Sequence, residues 1–234
     1  MNKKTITPIA RIYTDYREKF GIPRQFGLVE NVGRIIFEKD CSGPDCFREL
    51  EGYSHIWLIW GFSENEKAGW NPTVRPPRLG GNRRVGVFAS RSPFRPNGLG
   101  LSVVKILKIE AEEGAGIVLT VSGADLMDKT PIYDIKPYMP ASDIIPDAKG
   151  GYAAGAKDKN LHINCSEKLL ERIPEDKKDT LFKILSLDPR PSYQNDPDRI
   201  YGMKYADYDI RFKVCGEELI IVDIDVEQIS NSRG

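Results

Sequence analysis

Histidine and cysteine are scarce, with two and four among 234 residues. Cys41 and Cys46 are separated by four residues, which is not C-x-x-C spacing, while Cys165 and Cys215 stand alone. So few candidate ligands point away from a disulfide scaffold and from any metal centre, and the thiols read as reduced, buried or half-buried groups. Long apolar runs are also missing. The longest, Ile56 to Phe62, is far short of the roughly 20 residues a membrane helix requires. Met1-Asn2-Lys3-Lys4 leads into no apolar stretch and no small-residue cleavage site, so no signal peptide is read and a cytoplasmic protein is expected. Net charge is absent too, with 34 basic against 34 acidic residues. Glycine (21) and proline (16) are too few for a low-complexity chain. What remains is a globular protein long enough for one large domain or two small ones.

The zero net charge hides an asymmetry. Between Asn71 and Ile109 there are eight basic residues, Arg75, Arg78, Arg83, Arg84, Arg91, Arg95, Lys105 and Lys108, and no acid. The last twenty residues lean acidic. A local positive surface is what a polyanion needs, whatever the overall charge. The order of elements is also uneven. Ile6 to Tyr13, Gly33 to Phe37, His55 to Phe62, Arg84 to Ala89, Leu101 to Ile109 and Ile117 to Val121 are β-branched or aromatic runs bounded by turn residues, and read as strands. The loop containing Pro72, Pro76 and Pro77 cannot be helical. No long amphipathic helix alternates with these strands, which excludes a doubly wound sheet and favours a closed antiparallel barrel. Residues 151–160 read as a linker. Beyond it, Pro174 with Glu175 and Asp176 opens a helix whose apolar stripe is Leu181, Phe182, Ile184 and Leu185, stopped at Asp188-Pro189. Tyr208 to Val214 and Leu219 to Val226 read as a hairpin joined at Cys215-Gly216. The expected class is mainly β with α+β: an antiparallel β-barrel domain over 1–150, the linker, and a small α+β domain over 161–234.

Four segments carry chemistry. Phe88 to Ser102 holds Arg91 and Arg95, stiffened by Pro93 and Pro96 and freed at Gly98 and Gly100; it reads as an anion-binding loop or as a tight turn with exposed arginines. In Asp125 to Tyr138, Asp134 and Lys136 share a face if extended, either as a plain ion pair or as a proton acceptor beside a substrate-steering group. Phe20 to Gln25 is a turn or a ligand wall. In the tail, Arg190, Tyr193, Tyr201 and Tyr205 are the vocabulary of RNA-loop binding, where bases stack on aromatic and guanidinium planes, or else half-buried packing residues.

Taken together, Lys19-Phe20-Gly21-Ile22-Pro23-Arg24-Gln25, Gly69-Trp70 through Asn82, Val87-Phe88-Ala89 through Leu101-Ser102, Asp134-Ile135-Lys136-Pro137-Tyr138 and the tail with Asp188-Pro189-Arg190-Pro191 resemble the TsaA-like family of S-adenosylmethionine-dependent tRNA (adenine(37)-N6)-methyltransferases. The resemblance runs from about Ile6 to Val226. It implies a β-barrel methyltransferase, usually a homodimer, that needs S-adenosylmethionine and no metal. Its implied substrate is threonylcarbamoyladenosine beside the anticodon of threonine-accepting tRNA. Pro23, Arg24, Gln25, Ser63, Glu64, Arg91, Leu101, Asp128, Lys129, Thr130 and Pro131 match family positions that contact the cofactor. Many members carry His where this chain has Ser63, and Pro-Ile-Gly where it has Gly98-Leu99-Gly100. On this reading Arg91 meets the cofactor carboxylate or a tRNA phosphate, and Asp128 meets ribose hydroxyls or the amino group. Asp134 or Tyr138 takes the proton. Arg84, Arg95, Lys136, Arg190 and Tyr193 serve the anticodon stem-loop, with Lys136 or Arg95 meeting the threonyl carboxylate. The alternatives are a non-catalytic RNA-binding or regulatory module, and a methyltransferase for another substrate on the same barrel.

Overall fold

A computed structural model of the chain describes residues 4–76, 79, 83–154, 160–191, 194 and 196–226. Its first unit is the expected barrel. The strands are β1 (Ala10–Tyr13), β2 (Val32–Phe37), β3 (His55–Gly61), β4 (Thr73–Val74), β5 (Val85–Gly86), β6 (Leu99–Glu112), β7 (Gly116–Ser122) and β8 (Thr130–Pro137). Six of them close in the order β1-β2-β7-β6-β3-β8, and every neighbouring pair is antiparallel. Closure removes the unpaired edges that an open sheet would expose. Period-two alternation fills the interior with Ala10, Ile12, Ile35, Ile56, Leu58, Val104, Leu119, Val121 and Ile132, none of them more than 1% exposed. Each such Val, Leu or Ile side chain contributes about 1.5–3 kcal/mol by burial.

Several boundaries differ from the sequence reading. β1 starts at Ala10 rather than Ile6, because Pro8 has no N–H for the ladder, although Ile9 still donates to the Ile132 carbonyl (2.8 Å). The run Arg84 to Ala89 yields only the two residues of β5, after which Val87–Ala89 coils into a 3-10 turn, with the Val87 N–H on the Pro72 carbonyl (3.0 Å).

The second unit follows α1 (Pro140–Asp143) and a short turn at Gly151–Ala153; residues 155–159 of the expected linker lie outside the described residues. It contains β9 (His162–Asn164), α2 (Glu167–Leu170), α3 (Glu175–Ser186), β10 (Tyr201–Tyr205), β11 (Tyr208–Cys215) and β12 (Glu218–Val226). The sheet order is β10-β11-β12-β9, with β9 parallel to β12. The hairpin turns at Cys215-Gly216 as read from sequence, Cys215 lying opposite Glu218. α3 carries Glu175 and Asp176 in its first turn, where carboxylates suit the helix dipole, and buries Leu181, Ile184 and Leu185.

The core under this sheet also takes in part of the barrel chain. Residues 14–31, the excursion between β1 and β2, place Tyr16 and Val29 inside it, with Phe20, Ile22 and Leu28 packed against it. Phe20 stacks on Phe212 (centroids 6.3 Å apart, planes 12° apart). Gly21 takes a φ of +92°, and a Cβ there would fall 2.4 Å from Met203 Sδ, so the backbone passes the second unit at a distance only glycine permits.

Candidate functional site

Strand direction gathers most of the predicted residues at one end of the barrel. β1 and β3 both run antiparallel to β8, hence parallel to each other, and their outgoing excursions (14–31 and 62–98) leave from the same end. β6 and β8 begin there, and β7 ends there. The segments that carry Pro23-Arg24-Gln25, Ser63-Glu64, Arg91, Leu101 and Asp128 to Pro131 therefore lie toward one end of the barrel although they are scattered along the sequence, and of these residues Arg24, Gln25 and Arg91 line one groove.

A groove of about 890 Å³ opens there, lined by Arg24, Gln25, Trp70, Arg84, Arg91 and Phe94 among others. This lies within the size range of small-molecule sites. The Arg91 guanidinium donates to the Gln25 side-chain oxygen and lies 5.6 Å from the centre of the Phe26 ring. Trp70 is 56% exposed, an unusual state for a tryptophan in a basic loop. A second recess of about 280 Å³ shares Gly69, Trp70 and Pro93 with the groove and adds Arg95 and Tyr133. Ser63 and Glu64 are exposed on the 3-10 helix Ser63–Ala68, which Lys19 ties to the first excursion through Asn65 Oδ1 (2.9 Å).

Within reach of the Phe26 N–H and the Arg91 charge is a carboxylate that sequence reasoning did not single out. Trp60 Nε1 donates to Ser102 Oγ (3.0 Å), and Ser102 Oγ donates to Asp125 Oδ1 (2.6 Å). Burial pushes the Asp125 carboxyl above the usual carboxylate range, against the opposing pull of Ser102, the Phe26 N–H and the Arg91 charge. The only sequence signal was its position just after a buried strand. Trp60 itself sits flat on Gly100, where a Cβ would come within 2.3 Å of its ring.

The outer wall of the barrel carries the other set. In register across β6, β3 and β8, Leu101, Ile59 and Asp134 form one row, and Val103, Trp57 and Lys136 the next. Lys136 Nζ lies 3.0 Å from Asp134 Oδ2, so the two do face each other as an ion pair. The Tyr138 ring lies against Trp57 (5.7 Å) and His55 (6.3 Å). Phe26 connects wall to groove, touching Trp57 edge-on at 6.2 Å while carrying Arg91. Trp57 Nε1 and the Met139 N–H both bind Asp143 Oδ2 (2.9 Å each), which holds that carboxyl below its usual range, Met139 contributing most.

Other predicted residues are already engaged. Asp128 Oδ1 accepts the Thr14 N–H (3.1 Å) and Thr130 Oγ1 donates to the Met127 carbonyl (2.7 Å). Lys129 takes a φ of +64° and donates its N–H to Ile12, while Pro131 is buried in β8. These four hold the β1–β8 seam together at the rim. Arg95 turns inward onto the carbonyls of Ser90 (3.1 Å) and Ser92 (3.5 Å). Arg84 is exposed and donates to Thr73 Oγ1 (2.9 Å). Arg190 is 7% exposed, with Nε and Nη2 on the two oxygens of Asp188 (2.8 and 3.0 Å). Tyr201 and Tyr205 are buried packing residues, which settles that pair of readings, and Tyr193 lies outside the described residues. Among the described residues no cluster of His, Cys, Asp and Glu could hold a metal, and no helix is long and apolar enough to cross a membrane.

Family models match along the chain. The one for the tRNA-methyltransferase O N-terminal domain matches residues 11–144. The one for the TrmO C-terminal domain matches residues 159–227. A protein of Escherichia coli named tRNA (adenine(37)-N6)-methyltransferase is 37% identical over 215 residues, 88% of this chain and 91% of its own. A Pseudomonas aeruginosa relative whose name describes an S-adenosylmethionine-dependent methyltransferase is 37% identical over 227 residues, 93% of this chain and 96% of its own. A crystal structure of TrmO from Pseudomonas aeruginosa superposes with a TM-score of 0.77 at 29% identity, covering 96% of this chain and 100% of that one. Both units, in the same order and nearly from end to end, are thus those of one family, and the chain belongs to the tRNA-methyltransferase O (TrmO) family.

Proposed function

We propose that this chain transfers a methyl group from S-adenosylmethionine to the exocyclic N6 of adenosine 37 in tRNA. The observation that carries this is the rim groove: four arginines and exposed aromatic faces around a volume suited to one nucleoside-sized ligand, beside a loop with no acidic residue. The donor brings a sulfonium-activated methyl, a carboxylate and an adenosine. Arg91, pre-oriented by Gln25 and Phe26, meets the carboxylate. Gln25 keeps its amide N–H groups for the nucleoside, and Trp70 or Phe94 offers a π face to a base or to the cationic sulfur. Ser63 and Glu64 close the recess side, and Leu101 offers an apolar surface, with Pro23, Arg24 and the Asp128–Pro131 seam holding the rim in shape.

In the transfer the N6 lone pair forms the new N–C bond as the C–S bond breaks. The sulfonium becomes a neutral thioether, and the N6 proton must leave. No metal takes part in this scheme. Alignment and exclusion of water supply most of the acceleration, for which about 7–11 kcal/mol is attainable. Asp134 takes the proton, with Tyr138 alongside. Lys136, 62% exposed and next to Asp134, meets the threonyl carboxylate of threonylcarbamoyladenosine, for which it is better placed than the inward-turned Arg95. Arg84 contacts the phosphates of the anticodon stem-loop of a threonine-accepting tRNA. A second copy of the chain covers the outer wall, where Leu101 is 52% and Met139 50% exposed; such a homodimer brings the wall of one copy to the groove of the other. A tRNA substrate puts the enzyme in the cytoplasm.

Mass spectrometry of nucleosides from tRNA incubated with the protein and S-adenosylmethionine is the test: a methylated adenosine at position 37 is expected, and none would refute the reading. Asp134→Asn should lower the single-turnover rate at saturating donor by about 10²-fold or more; a full rate removes Asp134 from the role of base.

A further inference from the structure

The Asp188-Pro189-Arg190 turn of the second unit is built to hold something. α3 ends at Ser186, and Asp188, with a φ of +52°, turns the chain back on itself. The Asp188 carboxylate then receives Arg190 three times, from its backbone N–H (3.4 Å), Nε (2.8 Å) and Nη2 (3.0 Å). On its other side the Arg190 guanidinium lies 5.8 Å from the centre of the Tyr201 ring. So fixed, the turn presents two backbone carbonyls, those of Asp188 (3.0 Å) and Arg190 (3.4 Å), to a single guanidinium: that of Arg24, from the barrel's first excursion. Arg24 is followed directly by Gln25, which receives Arg91, and by Phe26, which carries it.

The same excursion is fastened upstream at independent points. The Ala206 N–H donates to the Asp15 carbonyl (2.8 Å), Lys177 pairs with Asp15 (2.7 Å) and Arg17 with Asp207 (2.8 Å). A loop that only had to connect two strands would not need this many attachments to another unit.

We propose that the second unit serves the methyl-donor site as well as any tRNA contact: Asp188 and Arg190 are positioning residues that lock Arg24, and through it set Gln25 and Phe26 against Arg91. This rests on the reading that Gln25 and Arg91 hold the donor. It also gives Arg190 a use that its burial allows, since a guanidinium only 7% exposed and turned onto Asp188 is closed off from a phosphate.

The experiment is calorimetric titration of S-adenosylhomocysteine into the full-length chain, with tRNA affinity measured in parallel by filter binding. Asp188→Asn removes the charge while keeping a residue type that tolerates the left-handed backbone. Arg190→Lys keeps a charge but loses the fork, and supplies the same test if Asp188→Asn does not fold. Both should weaken S-adenosylhomocysteine roughly 5- to 10-fold. They should raise the KM for S-adenosylmethionine while leaving kcat at saturating donor, tRNA affinity and the number of binding sites within about twofold. Gln25→Ala is the control for the underlying reading. It should weaken the same ligand, and combining it with Asp188→Asn should add little, because both act on one contact. Unchanged binding in Gln25→Ala removes the donor-site reading and the proposal with it. Impaired Gln25→Ala beside intact Asp188→Asn and Arg190→Lys overturns the positioning role alone. Lost tRNA affinity with retained S-adenosylhomocysteine affinity makes the turn a tRNA contact and also overturns it. A fall in kcat and in binding-site number at unchanged donor affinity does so too, since that is what a merely structural role gives.

Discussion

The two excursions that leave the site end of the barrel are held in opposite ways. Residues 14–31 are pinned from outside, with apolar side chains sunk in the core of the second unit and ion pairs and hydrogen bonds along their length. Among the described residues of 62–98, most of the bonds lie within the segment: Arg95 on Ser90 and Ser92, Ser90 on Val87, Phe94 on Ser92, Arg84 on Thr73. The first is a shelf and the second a hand of basic and aromatic side chains left open to solvent. Selecting a small, fixed cofactor requires pre-set geometry, whereas gripping a polynucleotide backbone requires charge more than exact placement. Among the described residues, the part of the second excursion that carries no acid, 71–98, is the part with few attachments elsewhere, as this contrast requires.

The comparison breaks most sharply if the shelf loses its support. Phe212, fully buried and stacked on Phe20 and Tyr201, joins the excursion to the second sheet. Phe212→Ala should cost about 3–5 kcal/mol. Because the two units share that core, calorimetry should show one lowered transition, and two separated ones would mean that the shelf is not common to both. A smaller effect is expected in the hand. Arg84→Ala should weaken tRNA binding by about tenfold or less and flatten the dependence of log K on log salt by roughly one unit, while S-adenosylhomocysteine affinity falls less than tRNA affinity does. Equal losses for both ligands would erase the distinction between the two excursions.

How far this was legible in the sequence depended on what set each feature. The barrel strands could be read because alternation and turn residues are local. β8 was seen only as a segment whose residues would share a face if extended, since Pro131 and Pro137 bracket it and Asp134 and Lys136 dilute its apolar pattern. β9 is three residues long and exists only through its parallel pairing with β12. Arg91 and Gln25 could be found through their resemblance to family positions, but their mutual contact, 66 residues apart, could not. Arg190 read as a free cation because nothing in Asp188-Pro189-Arg190 announces that a left-handed residue folds the carboxylate back onto it. Tyr16, Phe20 and Ile22 lie in the first 150 residues and yet pack in the second core, which no boundary drawn along the chain can express.

Asp125 is where shelf and hand meet, since the Phe26 N–H and the Arg91 charge both act on its carboxylate. Burial raises its pKa, so between the ordinary carboxylate value and the folded value the native state holds a proton that the unfolded chain has released. Stability from this group is therefore greatest in acid and declines as pH rises through that window. Above it the buried charge is a standing cost. Asn in its place still accepts the Ser102 hydroxyl and carries no charge. Asp125→Asn should thus match the parent in acid, below the ordinary carboxylate range, and exceed its Tm in neutral and alkaline solution, the gap opening as pH rises through the raised range. Thermal denaturation across that pH series decides it. A gap that closes as pH rises would mean that the attraction of Arg91 outweighs desolvation, and that shelf and hand are coupled through this carboxylate more tightly than their separate fastenings suggest.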